Sequence, residues 1–140
     1  MDCDFHPEDI AVGDAAAAEE RAEIAALHAN NAENAQDVDS AIDHLERAYV
    51  CAKNAAQDAL SAYHIAEEAD TPKAWQAAER AADAERSAAD AERRARKGAQ
   101  RAIDAAVAED EARMRAAVAE GYRGPFRIRA YPSLYNETGE

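Results

Sequence analysis

Side chains able to fill a thick hydrophobic core are scarce in this chain: Leu, Ile, Val and Phe together supply 17 of its 140 residues. The 40 alanines are no substitute, because burying one methyl is worth only about 0.8 kcal/mol. Glycine and proline number five and four, which leaves long stretches without a turn signal. Two cysteines, Cys3 and Cys51, make no disulfide framework, and a reducing cytoplasm is the expected compartment. No run approaches the ~18 apolar residues of a membrane span. The N-terminus is acidic and lacks the apolar stretch of an export signal.

Bases are the other deficit. Met1 to Pro72 carries 17 acids against Arg21, Arg47 and Lys53, whereas Lys73 to Glu120 carries ten of each sign. From Gly121 onward three arginines stand against two glutamates, and the whole chain has a formal net charge of -13. Such a field repels nucleic acid and anionic membrane and steers the molecule toward basic protein surfaces.

Few large aliphatics with high net charge is the composition of a disordered chain. Against that, Ala, Glu, Lys, Leu and Arg make up 76 of the 140 residues, which at heptad spacing marks long helices. The spacing decides for helix. Ile42, Leu45, Tyr49, Ala52, Ala56, Ala59, Tyr63 and Ala66 fall alternately three and four apart, an uncharged seam. Further on, positions 74, 81, 88, 95 and 102 are all alanine, as are 77, 84, 91, 105 and 112, with Gly98 in the remaining slot. The segment Ala81-Ala82-Asp83-Ala84-Glu85-Arg86 recurs unchanged as Ala88 to Arg93. Small seam residues let helix axes approach to the short end of the usual ~8–10 Å. Asp90–Arg94, Glu92–Arg96, Glu109–Arg113 and Glu111–Arg115 are spaced to pair along the flank.

The boundaries are set by local chemistry. Residues 1–13 read as an N-terminal arm with one helical turn in which Pro7 suits the first position, and Asp14 can cap a helix that starts at Ala15. Residues 30–40, rich in Asn and Asp, predict a break. Thr71-Pro72 is a stop and restart: Thr71 caps, and Pro72 takes the first helical position, where its missing N–H costs nothing. Gly121 and then Gly124-Pro125 end the last helix. The expected fold is all-α: a long antiparallel helical hairpin or small bundle over 14–120, with helices 14–31, 38–69 and 72–120 and an alanine-rich coiled-coil seam. A tail, 121–140, completes it. Phe126-Arg127-Ile128-Arg129-Ala130-Tyr131 alternates apolar and basic residues as one short strand does. Ile103, Val107, Met114 and Val118 form a second apolar stripe, to be covered by the first helix through Ile24 and Leu27 or by the tail.

Catalytic and metal-binding patterns are missing. His44, Cys51 and Asp58 share a helical stripe, but a heptad step is ~10.5 Å, too far for one ion. There is no HExxH, no CxxC and no Glu-x-x-His pair. His28 reads as a packed polar residue. Ser61 and His64 are one turn apart without a cleft around them, and no glycine-rich phosphate loop occurs. Neither an enzyme, a cofactor nor a metal is expected. The basic cluster Arg93, Arg94, Arg96, Lys97 and Arg101 is expected to pair with the acidic half.

These readings converge on a non-enzymatic binding protein that occupies a basic surface of another protein, as an inhibitor or nucleic-acid mimic. Phage anti-defence and toxin-neutralising proteins offer a physical analogy. The expected contact is an acidic face: Glu19, Glu20, Glu23, Asp37, Asp39, Asp43, Glu46, Asp58, Glu67 and Glu68. In the tail, Tyr122, Phe126, Arg127, Arg129, Tyr131 and Tyr135 are candidate anchors, since aromatic and Arg side chains dominate interfaces. The alternative is a structural coiled-coil oligomeriser, a homodimer or scaffold joined by helix packing. Direct nucleic-acid and membrane contacts are not expected.

Overall fold

A computed structural model describes residues 6–124. They form three helices, α1 Pro7–Glu33, α2 Val38–Ala69 and α3 Pro72–Ala119, each packed against both of the others. Helix accounts for 90% of the described residues, which contain no strand. The alternating segment from Phe126 lies outside them.

The start and stop chemistry sits where the sequence puts it, with one exception. The Asp37 carboxylate accepts the Ser40 N–H at 2.7 Å and caps α2. Asp70 ends α2 at φ 49°, a left-handed turn that Asp tolerates better than most residues. Thr71 Oγ1 accepts the Ala74 N–H at 3.2 Å, with Pro72 in the first turn. Two hydrogen bonds close α3, Gly121 N–H to Val118 and Tyr122 N–H to Ala117, with Gly121 at φ 99°. This is the 6→1 and 5→2 pattern of a Schellman cap. The exception is α1, which begins at Pro7 and not after Asp14. Pro7, Glu8 and Asp9 make a proper first turn, and Gly13 is passed through. The Asp14 carboxylate caps nothing here; it accepts the Ser61 hydroxyl of α2 at 2.7 Å.

The core is built of methyl groups. In α1 the buried residues are Ala11, Ala15, Ala18, Ala25, Ala29 and Ala32, with half-buried Ala22 completing a spacing of alternately four and three. In α3 the buried seam runs Ala74, Ala77, Ala81, Ala84, Ala88, Ala91, Ala95 and Gly98, the register read from the heptads, with Ala78, Ala99 and Asp110 buried beside it. In α2 that register is half wrong. Ala59 and Ala66 are buried as expected, but the partner row is Ala41, Ala48, Ala55 and Ala62, one residue away from Ile42, Tyr49, Ala56 and Tyr63. Two all-alanine neighbours come so close that an Ile or Tyr row cannot enter. Among the described residues Val38 is the only buried apolar side chain larger than alanine.

Gly98 shows how tight this is. A Cβ there would lie 2.9 Å from the carbonyl C and O of Ala32 and from N of Glu33. α3 thus touches the backbone of α1 at its last turn. Beyond that level the described residues do not cover the expected seam: Ala102 is half-buried, and Ala105 and Ala112 are exposed. α1 has ended, and among the described residues only the α1–α2 connection and the start of α2 flank a cleft alongside α3 as far as Arg113. The second stripe is not covered by α1 either. Ile24 and Leu27 face solvent, as do Met114 and Val118, while Ile103 and Val107 are half-buried.

Two outcomes check this packing. Gly98→Ala gains ~1 kcal/mol of helix propensity yet lowers the melting temperature, because the new methyl meets backbone and not a movable side chain. Ala88→Glu places a charge in the seam and costs several kcal/mol, whereas Arg93→Glu on the surface shifts the melting temperature far less. Circular dichroism melts of the three variants decide.

Candidate functional site

Charge is distributed by helix. α1 has seven acids and one base, and α3 has nine acids and ten bases, so the groove between these parallel helices is closed by ion pairs. Lys73 meets Asp9 at 2.7 Å, Arg80 meets Glu19 at 2.5 Å, and Arg94 meets Glu33 and the Asn30 side chain. Lys73 and Arg80 hold Asp9 and Glu19 below the usual carboxylate range through these hydrogen bonds. In the α1–α2 groove Arg21 donates to Asp58 at 3.0 Å. Of the basic cluster on α3, Arg94 alone reaches the acidic half. Arg93 and Arg96 pair along their own helix with Asp90 and Glu92, and Arg113 takes Asp110 in place of Glu109.

This pairing sorts the ten acids of the expected contact. Glu19 and Asp58 are committed to inter-helix pairs, and Asp37 to its cap. Asp43 meets Arg47 at 3.1 Å and Glu67 meets His64 at 3.4 Å. Glu20, Glu23, Asp39, Glu46 and Glu68 are exposed, and no base pairs with them among the described residues. They do not share one face. Glu20 and Glu23 lie on α1, Asp39 and Glu46 near the start of α2, and Glu68 at its far end, because α2 runs antiparallel to α1. Of the tail anchors only Tyr122 is described, and it is exposed; Phe126, Arg127, Arg129, Tyr131 and Tyr135 lie outside the described residues.

Sequence reasoning missed the pairing of His28 with His44. Their Nδ1 atoms are 2.9 Å apart across the α1–α2 groove, with ring centroids at 5.2 Å. One ring must donate and the other accept, so the contact holds a single proton. Partial burial and His44 push the pKa of His28 down, Arg47 lowers it further, and Asp43 opposes them. The signal in the sequence was the heptad phase: 14, 21 and 28 on α1 and 44, 51, 58 on α2 form the facing flanks, as Arg21–Asp58 also shows. Cys51, on that flank, has its thiol pKa pushed up by burial. Among the described residues no three His, Cys, Asp or Glu side chains gather as a metal site. Ser61 donates to Asp14 and His64 faces Glu67, so the two do not form a nucleophile–base pair.

The structure also exposes many of its large apolar side chains, while Val12, Leu45 and Ile65 pack half-buried against the core. Tyr49, Val50 and Leu60 of α2 are at least half exposed, and Tyr63 nearly so. Tyr63 packs edge-on against Trp75 of α3, with centroids 5.7 Å apart, and the Trp75 Nε1–H donates to Asp70 at 2.9 Å. No helix among the described residues is long and apolar enough to cross a membrane. Comparison with protein-family models finds no match, and the same holds for curated proteins and for solved structures.

Because the folded pKa of His28 lies below its ordinary 6.5, the unfolded chain takes up that proton first. Its contribution to stability is complete above about pH 6.5 and is lost as the pH falls toward the folded value. The melting temperature is expected to decline from pH 7.5 to 5, and His28→Gln to flatten that decline. Equal slopes for the two proteins would show that the pair does not control it.

Proposed function

We propose that this is a non-enzymatic, acidic protein-binding protein, an inhibitor or nucleic-acid mimic that occupies a basic surface of a partner protein in the cytoplasm. The observation that supports this reading most is what remains after internal pairing. The inter-helix bases Arg21, Lys73, Arg80 and Arg94 are taken by Asp58, Asp9, Glu19 and Glu33. Among the described residues, Glu20, Glu23, Asp39, Glu46 and Glu68 still point to solvent without a base, and α2 also exposes Tyr49, Leu60 and Tyr63. Unpaired acids supply steering, and rigid aromatic side chains supply contact area. Because the five acids are dispersed, the working surface is narrower than the ten residues of the expectation and centres on Asp39 and Glu46 of α2, which flank the Asp43–Arg47 pair, with the tail residues as further anchors.

A structural role, as a coiled-coil oligomeriser or scaffold, is favoured by one feature: Met114 and Val118 are exposed on the stretch of α3 that no other described helix accompanies. Ionic strength separates the two. Binding to a basic surface weakens steeply with salt, whereas apolar helix packing persists. Proteins captured from host lysate at low salt are expected to elute on raising salt. A chain with Asp39, Asp43 and Glu46 all changed to Lys should associate with them more slowly, with dissociation less affected. Unchanged association by that variant, with its helical spectrum intact, would remove the acidic-face reading. Salt-resistant dimers in sedimentation would favour the scaffold.

A further inference from the structure

The α2–α3 pair has two sides. On one, α1 is seated by its alanine row and held by ion pairs with α3. No other described residue covers the opposite side, which has an alanine floor of the same kind. Ala56 and Ala59 of α2 and Ala78 and Ala82 of α3 line a cleft of about 500 Å³ whose rim is Leu60, Tyr63 and Glu85. Trp75 extends the rim beside Tyr63, and Tyr49 continues it two turns from Ala56. Leu60 is 57% exposed and Tyr63 48%. We propose that this face is the seat of a fourth helix, supplied by the partner, amphipathic and basic. The inference rests on the reading of the protein as an acidic binder and names the part of the partner that it holds.

Three features choose this occupant. The floor is the type that already accepts a helix on the opposite side, where methyl-sized side chains let backbones approach. The rim carries the large rigid side chains that anchor a helix lying in a groove. The bordering charges are Glu46 and Lys53 of α2, with Glu67 beside His64, all on the heptad row of Leu60, and Glu85 of α3; Glu92 and Arg96 are already joined to each other. α1 offers acids to α3's bases; on the open side the signs are reversed, so the incoming helix brings Lys and Arg. A second copy seated face to face would bring together two rims that both carry more acids than bases, which is unfavourable.

Trp75 is the only tryptophan in the chain and reports on the rim directly. The probe is a synthetic amphipathic helical peptide about 20 residues long, Leu and Ala on one face and Lys and Arg on the other. A second peptide with Glu in place of Lys and Arg is the control. The basic peptide is expected to shift Trp75 emission to shorter wavelength, saturably and less so at high salt, while the acidic peptide does not. Leu60→Lys, at an exposed position that leaves the fold intact, weakens binding by about tenfold or more. If the basic peptide binds but Trp75 emission and the Leu60→Lys affinity are unchanged, the groove is overturned while the acidic-binder reading stands. If it does not bind at low salt the groove is likewise overturned, and the α2 charge-reversal variant judges the broader reading independently. A dimer of the protein alone that Leu60→Lys converts to monomer would make this face a self-interface and also overturn the proposal.

Discussion

How near two helix axes can come depends on the side chains between them, and here that distance is set by single methyl groups. Once α1 and α3 both offer alanine, α2 must offer it too, since one large side chain at the seam would hold all three helices apart. The row with Ile42, Tyr49 and Tyr63 is therefore turned out of the core, and Ala41, Ala48, Ala55 and Ala62 are turned in. At the end of α1 even a methyl is too large, and Gly98 meets the backbone of Ala32 and Glu33 directly.

The same closeness arranges the charges. Slender helices leave shallow grooves that long Arg and Lys side chains can span, so α3 reaches α1 three times along its length, at Asp9, Glu19 and Glu33. Pairs this exposed are worth only ~0.2–1 kcal/mol each. Their service is alignment: they fix which α3 residue stands beside which α1 residue, where a uniform alanine seam would allow the helices to slide by a heptad. The acids without partners are left outside, together with the large apolar side chains that the seam excludes.

Much of this was legible in the sequence. Thr71-Pro72, the Asn- and Asp-rich break, Gly121 and the repeated heptads of α3 are local signals, and local chemistry governs the features that they mark. Three things were not legible. The α2 register failed because periodicity weighs large apolar residues as inside, whereas the neighbours' alanines decided otherwise. The start of α1 was misplaced because Asp14 makes a good cap in isolation, but Ala11 continues the seam and the carboxylate serves Ser61. The loss of the seam beyond Gly98 was hidden because α3 keeps its alanine pattern after α1 has ended. For the candidate surface, the sequence supplied the acids but not their sorting, since whether Glu19 is paired and Glu20 is free depends on which flank α3 occupies.

A core of methyls has a thermal consequence. The heat-capacity increase on unfolding comes from newly wetted apolar surface, about 0.45 cal/K/mol per Å², and alanine hides very little of it per residue. The stability of this bundle is therefore a flat, broad curve against temperature. It changes little between a cold and a warm environment, and cooling weakens it less than it would a protein held together by leucine and phenylalanine.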